Sequence, residues 1–157
     1  MNAGIARTTT DTPRAEAQRE RILCAAQRCF IESGFHAASM ASIAETAQMS
    51  AGLMYRYFEN KSAIVLAIIE RELQEGRSQI AQLRSSRELA AALYDAFTRW
   101  QARDPSVMNA ALFLEMSAEA TRVPQISAAL RASDVQTIAD FQAWLALSRE
   151  SGGLGLP

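Results

Sequence analysis

Tyr55, Arg56, Tyr57 and Lys61 fall close together in the stretch "MSAGLMYRYFENKSA" (49–63), behind Ser50 and around Gly52. Two phenol hydroxyls, a guanidinium and an ammonium form a set of hydrogen-bond donors, and their chemistry is recognition of an oxyanion such as phosphate. Taken one at a time they fit an aromatic core with one solvated arginine just as well, because serine caps begin helices in every class of protein. Spacing has to decide.

Bond-making chemistry finds no comparable set of residues. The single histidine, His36, leaves no His pair, and it reads as a solvated loop residue. Cys24 and Cys29 lie five apart on a helical pattern, point to different faces, and lack metal-ligand spacing. Neither a phosphate-cradling glycine loop nor a pair of carboxylates in a cleft-like context is present. An enzyme is therefore not expected, and neither a metal nor a cofactor is implied.

Composition points to a globular chain, with 49% hydrophobic and 21% charged residues. It holds no apolar run long enough for a membrane helix, and the polar start "MNAGIARTTTDTPRAEAQRE" is unlike a signal peptide. The expected compartment is the cytoplasm, without membrane association. Net charge is −1; residues 1–62 carry seven basic and six acidic side chains, a net +1, against nine and eleven in the remainder, a net −2. So mild an asymmetry does not by itself indicate nucleic acid.

The elements that must position these donors are helical throughout, since apolar residues recur at helical spacing and no two-residue alternation is sustained. The first helix is predicted from Arg14 to Gly34, with Ile22, Ala25, Ala26, Cys29 and Phe30 on one stripe. "SMASIAETAQMS" holds a helix of barely two turns, with Ser39 as N-cap and Ser42 as rival. Ser50 caps a second short helix through Phe58, where Met54 and Phe58 share one side. Ala51, Gly52, Tyr55 and Arg56 then face outward, with Leu53 beside them. Gly52 lets backbone approach base edges, at a helix-propensity cost of about 1 kcal/mol relative to alanine.

Two short helices across a tight turn have the geometry of the helix-turn-helix, whose second helix enters the major groove. Tyr55, Tyr57 and Lys61 would offer donors to phosphates, Ser39 and Ser50 would present helix N-terminal amides, and Arg56 could reach a guanine edge or a phosphate.

Beyond the head, a long helix starts at Asn60 with Ile64, Ile68, Leu73, Ile80 and Leu83 inward and a place to bend at Gly76. Ser86 is expected to cap the next, with Leu89, Leu93, Phe97 and Trp100 inward and Asp104-Pro105 as its end. "SVMNAALFLEMSAEATR" makes another. The last runs from Pro124 toward Ser148 with Ile126, Leu130, Ile138, Phe141 and Leu145 inward. The expected organisation is a disordered arm (1–13), a DNA-binding head (14–62), a further helical domain (63–150), to which only the family resemblance below assigns effector binding, and a flexible glycine-rich tail (151–157).

"RILCAAQRCFIESGF" followed by "SMASIAETAQMSAGLMYRYFENKSAIVLAII" resembles the N-terminal domain of the TetR family of transcriptional regulators. The pattern is helix, capped helix, turn, "S.G..Y.YF..K" and a long linking helix, spaced over about fifty residues (Arg19 to Ile69); from Ser78 onward only the helical pattern agrees. The resemblance implies an all-α bacterial regulator with a three-helix head on a ligand-binding and dimerisation core. It implies that Ser39, Ser50, Tyr55, Tyr57 and Lys61 hold the backbone of a double-stranded DNA operator while Ala51, Gly52, Leu53 and Arg56 face the bases. Gln48 stands where the family has a turn glycine, so either a left-handed non-glycine residue or a different path is expected. Ala51 and Leu53 offer no hydrogen bonds, which leaves base reading to Arg56 and to apolar contact with thymine methyls.

The resemblance further implies a repressor released by a small-molecule effector of unknown identity. Phe97, Trp100, Phe113, Met116, Phe141 and Trp144 are the aromatic and sulfur side chains suited to line its pocket, with Glu115 and Arg122 as available polar anchors. A homodimer is implied as well, yet the chain reaches Pro157 before the two further helices that pair subunits in the family. The expectations are a core incomplete at its C-terminus, dimerising by another surface such as 124–148, or a truncated remnant that interacts with related subunits without regulating DNA alone.

Overall fold

The computed structural model describes residues 12–83, 85–102 and 110–156. Among these it holds seven α-helices: α1 (Thr12–Ala37), α2 (Met40–Thr46), α3 (Ala51–Tyr57), α4 (Lys61–Gln82), α5 (Ser86–Gln101), α6 (Ala110–Ala120) and α7 (Pro124–Ala146), then a 3₁₀ turn (Arg149–Ser151). The all-α expectation holds. Of the arm expected over 1–13, the residues up to 11 lie outside the described ones, while Thr12 and Pro13 already belong to α1; proline is tolerated in a first helical turn because its missing N–H has no partner there anyway.

The regular part of α1 stops at Gly34 (φ 78°, ψ 160°), a conformation open to glycine and closed to residues with a Cβ. Its apolar stripe, Ile22, Ala26 and Phe30, meets Ile43 and Ala44 of α2, Met54 of α3, and Ile64 and Ile68 of α4, all essentially buried. Leu112 and Met116 of α6 and Ile126 of α7 join the same cluster, so one apolar core runs across the boundary expected at 62–63. A second, smaller cluster gathers Ile80, Leu83 and Trp144 where α4 and α7 lie together, with the Trp144 indole N–H donating to Leu83 O (3.3 Å).

Three local expectations change. Ser85, not Ser86, caps α5, its Oγ accepting from Glu88 N (3.2 Å); Ser-x-x-Glu is the spacing of a capping box, and it selects Ser85. Leu93, Phe97 and Trp100 on α5 and Ile138 on α7, expected inward, are exposed. The stripe on α5 is apolar, yet the helix makes only sparse contact with its described neighbours; Asp104 and Pro105 lie outside the described residues. The stretch expected as a flexible tail folds back on α7: Gly155 N donates to Leu147 O (2.8 Å) and Leu156 N to Leu145 O (3.0 Å). Gly152 and Gly155 supply the positive φ angles this path needs.

Candidate nucleic-acid interface

The helix-turn-helix is built from local capping chemistry. At the start of α2, Ser39 Oγ accepts from Ser42 N (3.0 Å) and Ser42 Oγ accepts from Ser39 N (2.9 Å), so the two serines expected as rivals cooperate in a reciprocal box. At its end Gln48 N donates to Glu45 O (2.9 Å) and Met49 N to Ala44 O (3.0 Å), the paired bonds of a Schellman cap. The residue after the C-cap is Gln48 itself, at φ 54°, so the turn takes the left-handed non-glycine form. Arg21, from the middle of α1, donates through Nη2 to Ala47 O (2.6 Å) and satisfies another of the carbonyls that α2 leaves open. Then Ser50 Oγ accepts from Leu53 N (3.2 Å) and starts α3.

Helical spacing divides α3 into three faces. Met54, with Phe58 just past the helix end, is buried and fixes the helix on the core. Ala51, Gly52 and Tyr55 are exposed, with Tyr55 56% accessible, and a Cβ at Gly52 would meet none of the described residues within 4 Å. The freedom for backbone approach at Gly52 is thus present. Leu53, Arg56 and Tyr57 form the third face and border a notch of about 410 Å³ whose other wall is Arg14, Ala15 and Gln18 of α1. Ser39 and Ser50 are exposed at their helix starts.

Lys61 departs from the phosphate-directed ammonium expected of it. Its Nζ donates to Phe35 O (2.6 Å) and Ala38 O (2.7 Å), lies 3.4 Å from His36 O, and sits over the Phe35 ring at 4.4 Å. All three ammonium protons face main-chain carbonyls at the end of α1, which ties the start of α4 to the α1–α2 connection.

Further ties hold the head against the helices behind it. Glu115 of α6, a residue available as a ligand anchor from sequence, instead accepts from Phe35 N (2.7 Å) next to Gly34. Glu119, buried, lies 3.6 Å from His36 Nε2 and 3.8 Å from Arg122 Nη1, which draws the other expected anchor to the same junction. Arg71 of α4 pairs with Glu20 of α1 (2.6 Å) and with Glu72 of its own helix (3.1 Å). Burial works against the Arg71 charge, but the hydrogen bond to Glu72 and the charges of Glu20 and Glu72 hold its pKa above the ordinary value. Burial, followed by the charge of Glu72, raises the Glu75 carboxyl against the pull of Arg71. Sequence named Glu115 and Arg122 as available ligand anchors, but none of these pairings was expected from it.

The six side chains named for an effector pocket are not gathered in one place. Phe97 and Trp100 stack on each other (6.1 Å between centroids) and are exposed, as is Phe113. Met116 is buried in the main core, while Phe141 packs on the second cluster around Trp144. Of the six, Trp144 borders an open groove of about 520 Å³ between α4 and α7, together with Arg77, Ser78 and Asp140; Arg77 and Asp140 form an ion pair at 3.1 Å. No group of three or more metal-ligating side chains occurs among the described residues, and no described helix is long and apolar enough to cross a membrane.

Residues 22–68 match the family described as bacterial regulatory proteins, tetR family. The chain is 34% identical over 146 residues to the HTH-type transcriptional regulator UidR of Escherichia coli (strain K12), a match covering 85% of this chain and 67% of that protein. It is 28% identical over 111 residues to the HTH-type transcriptional repressor KstR of Rhodococcus jostii (strain RHA1), covering 69% and 52% respectively. Among solved structures it is similar to Salmonella enterica GusR, with a TM-score of 0.67 and 29% identity over 88% of this chain and 69% of that one.

Proposed function

The chain belongs to the tetR family of bacterial regulatory proteins and is a DNA-binding transcriptional regulator; we propose that it acts in the cytoplasm as a repressor, released from its operator by a small-molecule effector. The observation that carries this reading is the exposed face of α3, held out by two capped helices and a closed turn, with none of the described residues packed over Gly52. Ala51, Gly52, Leu53 and Arg56 then meet base edges. Ser39, Ser50, Tyr55 and Tyr57 hold the backbone, and Lys61 acts chiefly by fixing α1 to α4.

The effector is proposed to enter the groove between α4 and α7, where Trp144 offers an aromatic wall and Arg77 and Asp140 offer polar contacts. Because α4 begins at Lys61, on the carbonyls that close α1, a ligand that shifts α4 also shifts the head. Two heads are needed to read paired half-sites, so the working form is proposed to be a homodimer.

Gel-shift titration of Arg56→Ala against an operator duplex and a scrambled one tests the assignment. Loss of the preference between them is expected, and a variant with unchanged preference contradicts Arg56 as a base reader.

A further inference from the structure

The notch between the start of α1 and α3 brings Arg14, Gln18, Arg56 and Tyr57 together around a space of about 410 Å³. Among the described residues neither guanidinium has an ion pair or hydrogen bond. Most of the other arginines of the head are engaged: Arg21 on the α2–α3 turn and Arg19 over the Phe58 ring at 4.7 Å. Gln18 is oriented by its neighbour, its Oε1 accepting from Arg21 Nη1 (3.3 Å), which leaves its amide hydrogens as donors. A guanidinium, an amide and a phenol converging on one small space are donors suited to a phosphate oxygen.

We infer that this notch seats one phosphate of the DNA backbone, held by Arg14 and Gln18 from α1 and by Tyr57 from α3. This rests on the DNA-binding reading above and adds α1 to an interface that the sequence placed on α2, α3 and Lys61 alone. A phosphate there fixes the position of α3 along its axis, because Tyr57 and Arg56 are on the same helix turn. Arg14 is thus a positioning residue for Arg56.

The test is the salt dependence of binding to a scrambled duplex and to an operator duplex, for the full chain and for Arg14→Ala. Each phosphate contact contributes about 0.9 to the slope of log affinity against log salt, so between about 50 and 200 mM salt the loss of one narrows the affinity ratio roughly 3.5-fold. Arg14→Ala is expected to show that narrowing on both duplexes alike, with preference between them retained, and Arg14→Lys to restore the slope. Gln18→Glu, which puts a carboxylate in the notch, is expected to weaken both duplexes. Arg14 is exposed, so unchanged helical circular dichroism confirms that the variant is folded. A wild-type slope and affinity in Arg14→Ala overturn the phosphate seat while leaving the DNA-binding reading intact. Failure of the unaltered chain to bind either duplex overturns that reading, and the seat with it.

Discussion

Replacing Gln48 by glycine is expected to stabilise the protein. Gln48 sits at φ 54° in the cap that closes α2, its side chain is exposed, and its bonds to Glu45 O and from Arg21 involve main-chain atoms that glycine keeps. A left-handed conformation costs a residue with a Cβ roughly 1–2 kcal/mol. Glycine avoids that cost but gives back roughly 0.4–1 kcal/mol through the greater freedom of its unfolded chain. The difference runs from near zero to a stabilisation of about 1.6 kcal/mol, or a rise in Tm of up to about 6 °C for a chain of this length. Valine at the same position adds branching at Cβ and is expected to lower stability by at least about 1 kcal/mol. Thermal unfolding followed by far-ultraviolet circular dichroism reads both variants. A glycine variant less stable than the parent, or a valine variant equal to it, refutes the left-handed cap.

Lys61→Met keeps the aliphatic stem but removes the donors to Phe35 O and Ala38 O, and a loss of about 1–3 kcal/mol in denaturant unfolding is expected; unchanged stability would restore Lys61 to a purely DNA-facing role. Because the folded Glu75 pKa is raised above its unfolded value, its contribution is present below the ordinary glutamate range and is lost as pH climbs through the folded value. Glu75→Gln is therefore expected to flatten the stability–pH curve just above that range, and an identical curve contradicts it. Burial and then the Glu20 hydrogen bond raise the Cys24 thiol, so this exposed cysteine is expected to react slowly with a thiol reagent at neutral pH and faster in Glu20→Gln; equal rates in the two proteins refute the role of Glu20.

What the sequence makes legible in this molecule is local. The caps at Ser39 and Ser50, the stop at Gly34, and the burial of Met54 and Phe58 depend on neighbours within one helical turn, and periodicity finds them. The ties that hold the head in place do not have that property. Lys61 reaches back 26 residues to Phe35, Arg21 reaches 26 forward to Ala47, and Glu115 reaches 80 to Phe35 N. No spacing rule contains such contacts, so Lys61 is assigned outward and Glu115 to a pocket. The notch wall at Arg14 and Gln18 is hidden for the same reason, because only the fold brings the start of α1 beside α3. On α5 the pattern identifies which face is apolar, but what covers a face is a tertiary fact, and Leu93, Phe97 and Trp100 stay exposed.

The central claim is that the face of α3 carries sequence-selective DNA binding. Its most direct test is a titration of the chain against the duplex immediately upstream of its own coding region and against a scrambled duplex, at two salt concentrations. Salt-sensitive binding that prefers the upstream duplex, with the preference abolished in Arg56→Ala, is the predicted result. Equal binding to both duplexes, or a preference that survives Arg56→Ala, contradicts it.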